Sequence, residues 1–288
     1  MSAPTGVIVG YDGSTHAVRA LDWALEEAEL RACPLVLCHV WRERSGDPAP
    51  AAARRTAAVH MLDHGARCAA DRARGVPVRT LLLEGSPAGR LRGLSARAEL
   101  LVVGSHGLGA LARLTAALAV GSVSQRVAAD SRCPVIVVRG AGGPRHANAS
   151  PRLDDTPPPP PGATLPLVVG VSAAPGSRAA LGFAAEEARM RGRALHLVHA
   201  CRPGETEIGR DLLDAAAASP GMEGLTVRSS LVVASVRSAL LAESRAGALL
   251  VVGAPRGRGG PHLPYGSALR GLLHEAPGPM AVVRPLNV

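Results

Sequence analysis

The chain has 288 residues, 47% apolar content and a formal net charge of +9. No apolar run approaches the roughly eighteen residues of a membrane span, and no basic leader with a cleavage site precedes the first strand, so a cytoplasmic protein of about two domains is expected. The charge does not point to nucleic acid: all 32 basic residues are arginines, scattered without a basic run, and the few aromatic side chains leave little for bases to stack on.

In chain order, residues 6–10 read as a short buried strand, 15–32 as an amphipathic helix with Leu21, Ala24, Leu25 and Ala28 on one face, and 35–40 as a strand. A helix is predicted over about 50–74, a strand over 78–83, a helix over 87–98 and a strand over 100–103. A glycine-rich loop leads to a helix from Ser122 to about Asp130, and a strand over 135–138 closes the series. Apolar strands alternating with helices predict a parallel sheet covered on both faces, a doubly wound α/β domain.

The series then repeats. Residues 9–14 (VGYDGS) align with 169–174 (VGVSAA), 19–32 with 179–192, 94–105 with 243–254, and 133–139 with 278–284. The second copy is eleven residues shorter between Trp41 and Thr80, and four shorter in the glycine-rich loop. Two tandem five-stranded, Rossmann-like domains are therefore expected, over 1–140 and 166–288. The segment 141–165 between them carries five consecutive prolines, Pro157 to Pro161, and reads as a semi-rigid polyproline II linker. A proline-recognition ligand is the sharper alternative.

Sheets of this kind bind ligands beyond the carboxyl ends of their strands. In the first copy that edge gathers Gly10, Tyr11 and Asp12 after the first strand, Val40 near the end of the second, and Gly104, His106 and Gly107 after the fourth. Gly121-Ser122 then opens a helix. Glycines let backbone N–H groups approach phosphate oxygens, and a helix N-terminus favours anions. Asp12 suits an adenine or ribose donor, or a water on Mg²⁺, and Val40 suits packing on a base. Each piece also has a plain structural reading as a turn or a cap.

Other sites find less support. A Walker A loop needs a lysine, and the chain has none; its arginines, with heavy Ala, Gly and Pro usage, suit a GC-rich genome of the actinobacterial kind. Residues 107–112 fit G-x-G-x-x-A but follow the fourth strand, which argues against a classical dinucleotide site. His60 and His64 stand at helical i, i+4 spacing without an adjacent third ligand, so a solvated face is the expectation. Glu26-Glu27 recurs as Glu186-Glu187, again read as a solvated face. Cys33, Cys38, Cys68, Cys133 and Cys201 form no C-x-x-C pair and are expected as reduced thiols. No nucleophile elbow, catalytic residue or general base is evident.

The "VGYDGS" start, the "VVGSHG" turn, the "GSVSQRVAADSRCPVIVVR" ending and the duplication resemble a tandem two-domain universal stress protein, over essentially all of the chain outside the linker. The resemblance implies an ATP site in the first copy, possessing Mg²⁺ where the phosphates require it. Gly10, Tyr11, Asp12 and Val40 would lie at the adenine end, and Val103, Gly104, His106, Gly107, Gly121, Ser122, Val123 and Ser124 along the ribose and phosphates. The family loop runs G-x-x-G, nine residues, then G-S or G-T, whereas thirteen residues, Leu108 to Val120, separate Gly107 from Gly121 here. That extension either lengthens an exposed tip at little entropic cost or disturbs the cradle. In the second copy Gly253, Gly266 and Ser267 keep the spacing, but Arg256 replaces a glycine and Ser172 the aspartate, so little or no binding is expected there. The resemblance also implies pairing of the two domains through their last strands and a homodimer. The function expected is a nucleotide-responsive regulator of stress response that acts on a protein partner. The alternatives are an adaptor of the same fold without nucleotide, and a weak ATPase or adenine nucleotide α-hydrolase-like enzyme.

Overall fold

The computed structural model describes residues 6–42, 50–73, 75–105, 122–139, 164–254 and 267–285. The chain divides into two compact units, Met1–Val138 and Arg139–Val288. The proline-rich segment lies outside the described residues, as does the stretch 106–121.

The first unit runs β1 (Val7–Gly10), α1 (Thr15–Leu30), β2 (Leu35–Trp41), α2 (Ala51–Ala70), β3 (Val78–Glu84), α3 (Pro87–Leu94), β4 (Leu100–Gly104), α4 (Ser122–Asp130) and β5 (Val135–Val138). Its strands are parallel in the order β3-β2-β1-β4-β5. Strand order reverses between β1 and β4, where Val7 pairs with Leu35 on one side and Leu100 on the other. Val7, Ile8, Val9 and Leu100 to Val102 are buried without alternation because helices cover both faces. The edge strand β3 is more exposed.

The second unit repeats this plan with β6 (Leu167–Gly170), α5 (Pro175–Arg191), β7 (Leu195–Cys201), α6 (Thr206–Ala217), β8 (Val227–Val233), α7 (Val236–Ser244), β9 (Leu249–Gly253), α8 (Ser267–Glu275) and β10 (Met280–Val283). The order is β8-β7-β6-β9-β10, again parallel. The shorter second copy is visible in its helices: α6 has 12 residues where α2 has 20.

The apolar face of α1 is Leu21, Ala24, Leu25 and Ala28, all buried. The helix starts where Ser14, in extended backbone, accepts the Ala17 N–H at 3.1 Å. It ends at Leu30 rather than 32, because Ala32 takes φ 49° and the Cys33 N–H bonds the Ala28 carbonyl, steering the chain into β2. α3 stops at Leu94 rather than 98 for a tertiary reason. The buried Ser95 hydroxyl donates to the Arg92 carbonyl and accepts the Arg132 N–H at 2.9 Å, which ties the helix end to the turn before β5.

One expectation is overturned outright. Glu26 and Glu186 do meet solvent, but Glu27 and Glu187 are completely buried. The Trp23 Nε1–H donates to Glu27 at 2.8 Å, and Arg31, one turn on, pairs with the same carboxylate. Glu187 pairs with Arg191 at 2.9 Å in the same way. A buried carboxylate persists only with a partner that offsets its lost hydration, and each helix supplies an arginine four residues later.

Candidate functional site

β1 and β2 deliver the first group of site residues. β1 pairs as far as Gly10 with Cys38, and the Tyr11 N–H still bonds the Cys38 carbonyl at 2.8 Å. Val40, half-buried, lies two residues further along β2, where the chain leaves β1. Asp12 is half-buried, and its Oδ1 accepts the Ser14 N–H at 3.1 Å, an Asx turn that feeds α1. The Tyr11 ring turns under α2, where a Cβ on Gly65 would come within 2.7 Å of it. Its hydroxyl meets His64 Nδ1 at 2.9 Å, and burial raises the phenol above its usual pKa. The Tyr11 carbonyl is held by His39 Nδ1 at 2.7 Å, so Tyr11 shapes the edge through its backbone.

β4 and α4 deliver the second group. Val103 is buried and pairs with Gly10 across the switch in strand order. Gly104 ends β4 against the first turn of α1: a Cβ there would stand 2.8 Å from the His16 carbonyl carbon, so only glycine permits the approach. The buried Ser105 follows. Its hydroxyl and His16 Nδ1 are 3.3 Å apart, and its carbonyl accepts the Ser124 hydroxyl at 3.2 Å. Val123 is half-buried in the first turn of α4, beside buried Ser124. Ser122 is the first residue of that helix. His106, Gly107 and Gly121 lie outside the described residues.

Gly10, Tyr11, Asp12, Val40, Val103, Gly104, Val123 and Ser124 thus come from three strands and one helix to the carboxyl edge of one sheet. His16 and Ser105 join them there without having been singled out. Their signal lies in the duplication: the second copy has Gly176 and Ala254 in their places.

The second unit builds its edge differently. Gly253 ends β9 and Ser267 opens α8, while Arg256 and Gly266 lie outside the described residues. The Ser172 hydroxyl repeats the Asp12 turn, accepting the Ala174 N–H at 3.4 Å, but its own N–H is taken by the Ser177 hydroxyl at 2.9 Å. Gly176 presses so close that a Cβ on it would stand 2.2 Å from the Ala254 carbonyl oxygen. Buried Leu269 occupies the place of Ser124. The hydrogen bond from His199 Nδ1 to the Val171 carbonyl, 2.9 Å, matches that of His39.

The remaining candidates are dispersed. His60 and His64 are exposed on α2, and no group of three metal-ligating side chains occurs among the described residues. All five cysteines are free thiols, and burial pushes Cys38 and Cys133 up to about 12. A cleft of about 400 Å³ lined by Trp41, Ala51, Ala52, Arg55, Leu82 and Glu84 sits at the outer strands of the first unit, away from the β1–β4 switch. No helix among the described residues is long and apolar enough to cross a membrane.

The family model described as "Universal stress protein family" matches residues 5–139 and again 165–284. The chain belongs to the universal stress protein family. Universal stress protein Rv2005c of Mycobacterium tuberculosis is 30% identical over 308 aligned positions, covering 97% of each chain. A universal stress protein of Thermus aquaticus is 35% identical over 141 positions, 46% of this chain and 97% of its own. Among solved structures, a universal stress protein from Archaeoglobus fulgidus superposes over 98% of both chains with a TM-score of 0.73 at 18% identity, a likeness of fold. The tandem doubly wound architecture is therefore that of the family, in duplicate.

Proposed function

We propose that the first unit of this universal stress protein binds ATP, with Mg²⁺ accompanying the phosphates, and that the second binds little or none. One observation carries the reading. At the switch in strand order the first unit presents Asp12, Ser14, His16, Ser105 and Ser124, where the second has Ser172, Ala174, Gly176, Ala254 and Leu269. The adenine end falls to Gly10, Tyr11, Asp12 and Val40. The ribose and phosphates fall to Val103, Gly104, His106, Gly107, Gly121, Ser122, Val123 and Ser124. Close backbone approach at Gly104 and the N-terminus of α4 suit an anion. Asp12 fits a ribose or adenine donor, or a water on the cation.

In this reading the protein is a cytoplasmic regulator of stress response, without a catalytic residue of its own. ATP occupancy biases a surface that a protein partner or a second copy reads. Hydrolysis, where it occurs, is slow and incidental. Calorimetric titration with ATP and Mg²⁺ tests the reading on wild type and on Asp12→Ala, Gly107→Arg. Near one equivalent per chain, lost in the variant, is expected. Two equivalents overturn the assignment of the second unit, through Gly253, Arg256, Gly266 and Ser267, as weak or silent. No binding by folded protein up to millimolar ligand overturns the nucleotide reading and leaves the adaptor.

A further inference from the structure

We infer that His16 is the residue through which the first unit selects nucleotides carrying a polyphosphate over adenosine, an inference that rests on the ATP reading above. His16 stands in the first turn of α1, a 16-residue helix capped by Ser14, so its ring shares the helix end toward which the backbone dipole draws anions. The ring is half-buried and oriented, with Nδ1 3.3 Å from the Ser105 hydroxyl. Ser105 is in turn fixed by Ser124, whose hydroxyl donates to its carbonyl at 3.2 Å. One line of hydrogen bonds therefore joins α1, the end of β4 and α4.

Its position favours phosphate over base. Val40 and Asp12 occupy the β1–β2 side of the edge, whereas His16 lies against Gly104 at the end of β4 and is linked through Ser105 to the first turn of α4. An imidazole N–H in a helix's first turn is a suitable donor to phosphate oxygens, and serves an uncharged nucleoside poorly.

The duplication supplies an internal control. All three members of the line change together in the second copy, to Gly176, Ala254 and Leu269. There α5 closes onto β9 until Gly176 and the Ala254 carbonyl leave no room for a Cβ, and Leu269 is buried. The close approach of the first helix to the fourth strand is kept in the second copy without an imidazole, so that approach does not itself require His16.

The test compares ATP with adenosine on the full chain, by calorimetry, for wild type, His16→Ala and His16→Gln. Loss of one hydrogen bond to a charged group weakens binding by about tenfold or more, so His16→Ala is expected to lose about that factor for ATP and nothing for adenosine. His16→Gln, which keeps a side-chain N–H donor, is expected to recover part of the loss. An equal loss for both ligands overturns the inference in favour of a role in holding the α1 end. An unchanged ATP affinity overturns it too, with the ATP reading intact. Wild type that binds no adenine nucleotide overturns the ATP reading and this inference with it. Should His16→Ala fail to fold, the ratio of ATP to adenosine affinity in His16→Gln decides the same question.

Discussion

The two units share strand order, helix placement, a buried glutamate–arginine pair on the first helix and a histidine that locks the carbonyl after the first strand. They part company at the carboxyl edge. In the first unit the edge carries hydroxyls, a carboxylate and an imidazole; in the second the backbone of α5 closes onto β9, and the buried Leu269 stands where the first unit has Ser124. A duplicated fold keeps what its stability requires in both copies. Divergence at that edge, against a conserved sheet plan, therefore separates requirements of the site from requirements of the sheet. A second divergence lies elsewhere: Val36, Leu81 and Leu94 of the first copy become His196, Ser230 and Glu243 in the second. There the His196 ring meets the Ser230 hydroxyl at 2.8 Å and Arg228 at 3.0 Å, with Glu243 at 3.6 Å.

The largest expected effect strikes what the units share. Glu27→Ala strands the Arg31 guanidinium and the Trp23 N–H in the interior, and should cost about 3–5 kcal/mol. Trp23 and Trp41 are the only tryptophans and both lie in the first unit, so the loss should appear in tryptophan fluorescence melts. Glu187→Ala should spare that signal and lower the unfolding seen by far-UV circular dichroism. Equal movement of the fluorescence transition by both variants would break the picture of separately built units.

Acidification should separate the units next. Burial, with Arg228 adding repulsion, lowers the His196 pKa from 6.5 to about 4. The folded second unit therefore holds this ring neutral where the unfolded chain already binds a proton. Its contribution is complete above pH 6.5 and is lost as pH falls toward about 4, up to about 3 kcal/mol at 1.36 kcal/mol per unit. His196→Val, which installs the first-copy residue, should remove this part of the pH dependence. Denaturant melts of both proteins at neutral and acidic pH measure the difference; parallel curves would refute it.

Smaller effects sharpen the edge comparison. Gly176→Ala drives a Cβ against the Ala254 carbonyl and should destabilise the second unit by about 1–3 kcal/mol, whereas an unchanged denaturation midpoint would show that α5 yields freely. Ser14→Ala removes the α1 cap and should cost about 1 kcal/mol, while Ala174→Ser should return a fraction of that to the second unit. A null result in both melts would mean that solvent satisfies these helix ends equally well.

The doubly wound class, the duplication, the buried face of α1 and the clustering of Asp12, Val40 and Gly104 at one sheet edge were all legible in the sequence. Those features rest on local periodicity and on the rule that parallel strands deliver their carboxyl ends to one side. Where the helices stop was less legible, because Ser95 ends α3 through a bond to Arg132, 37 residues away. The burial of Glu27 and Glu187 was hidden for a similar reason: composition and spacing report charge, and only packing shows that the charge faces inward on an arginine. The closed second edge, the inward turn of the Tyr11 ring and the line from His16 through Ser105 to Ser124 were likewise decided by tertiary structure. Each depends on how near one backbone comes to another, a distance to which residues far apart in the chain contribute together.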